Sequence, residues 1–230
     1  MATYDLEEQE QLEELKTWWK LHGTVVTAIV VALAVAVVAW QGWNWWQRQQ
    51  AAQASALYSG VQAAAGRGDA KRARELAGEL ISKYSATAYA GMGALVAARV
   101  QVDAGDTINA RLQLAWAAEN AKGDGLRDLA RLRLAAVMLD QQDYDDATRQ
   151  LAVEPAPSFG PRFAELRGDV FAAQGKLAEA RNAYELALTK FDALAKNDEN
   201  RQRSGYKDVV QAKRDALGAP GAPGAPGAGK

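Results

Sequence analysis

The run FAELRGDVFAAQGKLAEARNAYELA, residues 163–187, decides the fold. Small Gly168 precedes aromatic Phe171, a turn residue Gly175 follows, and Ala180, Tyr184 and Ala187 come after the turn. Two helices packed at close range need small side chains where their backbones approach and a large one to fill the space beside them, and this order of residue types supplies both. The alanine that follows the turn has counterparts at Ala73, Ala110 and Ala147, so the four are spaced by 37, 37 and 33 residues.

A ladder near a period of about 34 is the signature of stacked tetratricopeptide hairpins. Around Ala110 the match includes Ala98, Gly105, Asp106, Leu114 and Ala117, and around Ala147 it includes Ala135, Tyr144 and Leu151. The copy at Ala73 keeps Leu57, Gly68, Asp69 and Ala77 but has diverged. Breaks at 66–69, 85–87, 105–106, 123–125, 142–143, 155–161 and 175–176 separate Ala-, Leu-, Arg-, Glu- and Gln-rich segments of helical character. Beyond Arg48 strand-like alternation and Asn-Gly hairpin signals are absent. The expected fold is all-α: a tetratricopeptide-like right-handed solenoid over 48–217, with Glu199 to Leu217 as its capping helix. The closing GAPGAPGAPGAGK, 218–230, is a Gly-Ala-Pro tail expected to be disordered, too short to sustain a collagen helix.

Upstream of the ladder the solvent changes. No formally charged residue stands between Leu21 and Gln47, and TVVTAIVVALAVAVVAW, residues 24–40, carries two hydroxyls among apolar side chains. At 1.5 Å per residue roughly 20 helical residues cross a ~30 Å hydrocarbon layer. Residues 21–47 are therefore read as a single transmembrane helix. Trp18 and Trp19 before the run, and Trp40, Trp43, Trp45 and Trp46 after it, occupy the places of interfacial aromatic rings. The span is too long for a secretory signal and its leader is acidic, so an uncleaved anchor is expected. Lys16, Lys20 and the terminal amine outnumber Arg48 across it, which favours a cytoplasmic 1–20 stub and places the body outside the cytoplasm.

Composition narrows the chemistry. With 27 basic and 28 acidic residues the net charge is −1, which offers no global field for nucleic acid. There is no cysteine, and His22 is the only histidine, so thiolate metal sites and His-centred triads lose their usual residues. The acidic group Asp140, Asp143, Asp145 and Asp146 lacks the order of a calcium loop and reads as an acidic helix start. Arg127, Arg131 and Arg133, alternating with Asp124 and Asp128, read as a solvated helix face. No cofactor is expected, and no catalysis.

The opening YDLEEQEQLEELKTWWKLHG, the single span, the exit WQGWNWW and the repeat body together resemble the YfgM family, ancillary subunits of the bacterial SecYEG translocon. The acidic leader ending in Lys16, the pair Trp18 and Trp19, and Gly23 are the most specific part of the likeness. The resemblance implies a bacterial inner-membrane protein with a periplasmic domain, associated with the SecYEG translocon and a PpiD-type periplasmic chaperone and handling exported client proteins. The Gly-Ala-Pro tail departs from the family pattern.

A solenoid presents a concave surface made by the first helix of each hairpin. By the repeat register the inward positions are Met92, Leu95, Arg99 and Val102, then Leu129, Leu132, Ala136 and Leu139, then Arg162, Glu165, Asp169 and Ala172. The groove is expected to be apolar in the middle and charged at one end. The alternative is that the leucines pack under the capping helix. A noncatalytic adaptor of the export machinery is the leading function, and a scaffold for another envelope assembly, such as the division apparatus, is its rival.

Overall fold

The computed structural model describes residues 4–195 and 204–218. Residues 1–3 of the stub, the first part of the expected capping segment (199–203) and the tail from 219 onward lie outside the described residues. The helices are α1 (Tyr4–Gly66), α2 (Ala70–Tyr84), α3 (Ala88–Asp103), α4 (Thr107–Asn120), α5 (Asp124–Asp140), α6 (Tyr144–Leu151), α7 (Gly160–Ala173), α8 (Leu177–Ala195) and α9 (Ser204–Ala216). A 3-10 turn, Pro157–Phe159, precedes α7, and the described residues contain no strand. The chain forms two compact units, one up to Gln50 and one from Ala51.

In the first unit α1 is long and apolar enough to cross a membrane. From Leu21 to Ala39 its leucines, valines and alanines are exposed, the half-buried Val26 apart, which is the surface of a helix made for an apolar solvent. The hydroxyl of Thr27 donates to the carbonyl of Gly23 at 2.7 Å, so this polar group is satisfied within its own helix.

The second unit is a series of helical hairpins. Ala54, Val61 and Ala64 near the end of α1 share a core with Ala73, Leu76 and Leu80 of α2. The pairs α3/α4, α5/α6 and α7/α8 follow, and α9 packs on α8. Ala73, Ala110, Ala147 and Ala180, the alanines of the ladder, are all completely buried. Gly168 shows why small residues are needed at the crossing: a Cβ there would lie 2.5 Å from the Tyr184 ring.

Each hairpin turns in the same way. The amides of Asp69, Asp106, Asp143 and Lys176 donate to the carbonyls of Ala64, Gln101, Met138 and Phe171, closing the first helix with a six-residue loop. The residue before each donor sits in the left-handed region: Gly68 (φ 70°), Gly105 (φ 79°), Gln142 (φ 64°) and Gly175 (φ 74°). Three hairpins use glycine there; the α5/α6 turn uses glutamine. The next helix starts at once, with Asp69 capping the Arg72 amide at 2.9 Å. In the third hairpin α6 is short, and Pro155, Pro157 and Pro161 carry the chain to α7, where Pro161 occupies the first turn without needing a donor.

Candidate partner-binding groove

Two clefts run along the face made by α3, α5 and α7. One, about 260 Å³, is lined by Arg99, Val102 and Asp103 of α3, Leu114 of α4, and Arg133, Ala136 and Asp140 of α5. The other, about 630 Å³, is walled by Leu129, Leu132, Arg133 and Ala136 of α5, Arg162, Glu165, Leu166 and Asp169 of α7, and Tyr206 and Lys213 of α9. Arg133 and Ala136 belong to both, so the clefts meet on α5.

Of the residues that the repeat register points inward, Arg99, Val102, Leu129, Leu132, Ala136, Arg162, Glu165 and Asp169 line these clefts. Leu95 does not: at 4% exposure it is a core side chain. Met92 is half-buried and outside both clefts, as is Ala172, which packs against the α8/α9 core. Leu139 is half-buried against the central core, and Leu129 and Leu132 touch that core while still facing the cleft. Leu129 and Leu132 thus face a cleft that α9 helps to wall, and the core that all three leucines touch is the central one.

The charged end of the face is occupied by the chain itself. Lys213 of α9 reaches Glu165 at 2.9 Å and Asp169 at 2.8 Å on α7. Tyr206 donates to Glu165, Tyr184 of α8 donates to Asp169 at 2.8 Å, and the Arg162 guanidinium lies 3.4 Å over the Tyr206 ring. Burial draws the Lys213 ammonium down, but its hydrogen bonds to Asp169 and Glu165 and their charges outweigh this, and its pKa ends above the ordinary lysine value. Burial first, and the hydrogen bond to Asp169 second, raise the Tyr184 phenol well above the usual tyrosine range. Glu165, only 5% exposed, is a keystone between α7 and α9. Register turns Glu165 and Asp169 toward this face but does not show their partner on α9, which lies more than 40 positions further along the chain.

The face read as solvated is also different in the structure. Asp128 is 3% exposed, pairs with Arg131 at 3.2 Å and accepts the Ala156 amide at 2.9 Å, so it ties the Pro-rich connection to α5. Arg133 is half-buried in the groove. Its only signal in the sequence is its place one turn from Leu129 and from Ala136.

The acidic group around Asp143 is held by Arg111, which contacts Asp143 and reaches Asp146 at 3.5 Å. Among the described residues no three His, Asp or Glu side chains come together in a way that could hold a metal ion. The six tryptophans of the first unit are all exposed; Trp18 stacks on His22 with centroids 5.4 Å apart, and Trp43 meets Trp46 at 5.5 Å.

An apolar N-terminal helix followed by hairpins of this kind defines a class: tetratricopeptide-like proteins with a candidate membrane span. The profile of the family described as tetratricopeptide repeat-like domain matches residues 16–219. A protein of Neisseria gonorrhoeae named ancillary SecYEG translocon subunit is 30% identical over 213 residues, 92% of this chain and 98% of its own length. Proteins of the same name from Haemophilus influenzae (31% over 80% of this chain and 90% of theirs) and Escherichia coli (26% over 79% and 87%) are similar along most of their lengths. The chain belongs to this tetratricopeptide repeat-like family of ancillary SecYEG translocon subunits.

Proposed function

We propose that the chain is a noncatalytic inner-membrane adaptor of the SecYEG translocon. The observation that carries this reading is the likeness over 98% of the length of the Neisseria protein, which takes in anchor and repeats together. In this reading residues 21–47 span the inner membrane, the tryptophans sit at its two surfaces, residues 1–20 are cytoplasmic and residues 48–217 are periplasmic. The excess of Lys16 and Lys20 over Arg48 supports that orientation. The groove along α3, α5 and α7 then serves a periplasmic partner, a PpiD-type chaperone in the first place, and exported clients pass close by.

Site-specific crosslinking in membranes tests it. A photoreactive residue at Val31, in the span, is expected to capture the translocon channel, and one at Leu132 a periplasmic protein. Absence of the channel from the adducts of the intact chain overturns the reading. A tag after Lys230 should be open to protease in spheroplasts; a protected tag reverses the topology.

A further inference from the structure

The groove contains one cation that no carboxylate of the described residues pairs with. Four cations line the two clefts, and three have carboxylates within 4 Å: Arg99 with Asp103, Arg162 with Glu165, and Lys213 with Glu165 and Asp169. Arg133, where the clefts meet, has none among the described residues. Its guanidinium donates to the carbonyl of Leu95 at 3.2 Å. Asp140 lines the same cleft yet forms no ion pair with it among the described residues.

The setting makes this costly. Burial, and the positive charge of Arg99 nearby, both work against the charged form of Arg133. An arginine cannot escape by giving up its proton, so the group stays ionised and incompletely paired. A carboxylate arriving from outside would meet a planar fork able to hold both of its oxygens. On either side the walls are apolar: Val102 and Ala136 toward one end, Leu129, Leu132, Phe159 and Leu166 toward the other. A phosphate or a free anion would satisfy the charge and leave those walls wet, whereas a polypeptide satisfies both.

We propose that the groove binds a segment within a partner polypeptide whose Asp or Glu side chain docks on Arg133 between flanking apolar side chains. This deepens the adaptor reading, since it rests on the groove being a partner surface and names the chemistry of what enters it. Arg133 is the specificity-determining group, and the leucines of α5 supply the contact area.

The experiment uses the full chain in lipid nanodiscs and short capped peptides of alternating Leu and Ser with one central Glu. Peptides with central Gln or Lys, and a Gln peptide with a free C-terminal carboxylate, are the comparisons. The Glu peptide is expected to bind about tenfold or more tightly than the capped Gln peptide, in line with a charge-assisted hydrogen bond, and the Lys peptide not measurably. Arg133→Gln should erase the Glu-over-Gln preference without altering the helical circular dichroism, and Arg133→Lys should keep part of it as a point charge. Equal binding of Glu and capped Gln peptides, a preference that survives Arg133→Gln, equal success of the free-carboxylate peptide, or no binding by any peptide overturns the proposal. The adaptor reading fails separately. Loss of the channel crosslink from Val31 with the peptide preference intact removes that reading alone, and loss of the preference with the crosslink intact removes this one.

Discussion

The same residue type does opposite work in the two units. Ala28, Ala32, Ala34, Ala36 and Ala39 of the first unit are exposed, whereas Ala73, Ala110, Ala147 and Ala180 of the second are wholly buried. Both sets lie on helices. What differs is the company they keep: the apolar run has no charged residue to define a polar side, while each repeat helix carries Arg, Lys, Asp or Glu on the face that its neighbours leave open. An alanine in the repeats is small so that another helix can come close; in the span it is apolar so that the backbone can be shielded from lipid. Environment follows from the pattern around a residue, not from the residue.

A matched pair of substitutions puts the greatest strain on that comparison. Leu134 is 1% exposed in the central core and Leu33 is 62% exposed in the apolar run. Leu134→Ala should cost about 2–5 kcal/mol through lost burial and the cavity left behind. For a unit of this size each kcal/mol moves the melting temperature by about 2–4 °C. Leu33→Ala should leave that melt unchanged and weaken insertion by only a few tenths of a kcal/mol. Circular dichroism melts of the intact chain in detergent decide it, and equal losses for both would mean that the two units share a core.

Val35→Arg attacks the other side. Near the middle of the span a charge is expected to cost about 2.5–3.5 kcal/mol on an insertion scale, and carbonate extraction should release part of the variant from membranes. The repeats should melt as before. Full retention would show more apolar margin than the run implies.

Most of this contrast was legible in the sequence. A period of 37, 37 and 33 residues needs only local spacing, and all four alanines it selects are buried. The helix breaks at Gly68, Gly105 and Gly175 follow from single residues with a backbone preference. The groove was half legible: register gives the face of a helix, so Leu129, Leu132 and Ala136 fall on it, but register cannot say how deep a side chain goes, and Leu95 turns out to be core. Charge pairing was the least legible. Arg131 and Asp128 stand one turn apart on α5, a spacing the sequence shows, but the burial of Asp128 against the Ala156 amide and the pairing of Lys213 with α7 come from packing that no short-range pattern records.

The charged network around Lys213 makes one unit sensitive to alkali. Lys213 has a folded pKa raised above its unfolded value, so its stabilisation is complete below about pH 10.4 and is lost as pH rises through the folded value. Tyr184 is raised as well, and its contribution is likewise present below about pH 10 and lost above. Melts of the repeats should therefore fall above pH 10, by less than Leu134→Ala costs. Lys213→Met should lower the melt at neutral pH, by removing the cation that Glu165 and Asp169 share, and shrink the alkaline fall. An unchanged alkaline slope would remove Lys213 as its source.

The smallest effect separates the third hairpin from the other three. Gln142 holds φ at 64° where Gly68, Gly105 and Gly175 hold values from 70° to 79° in the same turn. A side chain in the left-handed region costs roughly 1–2 kcal/mol, because its Cβ crowds the following carbonyl. Glycine relieves that cost but gives the unfolded chain more freedom, which takes back about 0.4–1 kcal/mol. The exposed Gln142 side chain makes no hydrogen bond among the described residues that would be lost. Gln142→Gly should accordingly raise stability by about 0.5–1 kcal/mol, a gain of about 1–4 °C. Gly105→Gln, the reverse exchange one repeat earlier, should lower it by a similar amount. If Gln142→Gly instead lowers the melt, the equivalence of the four turns fails, and the third hairpin is held by something other than the geometry it shares with its neighbours.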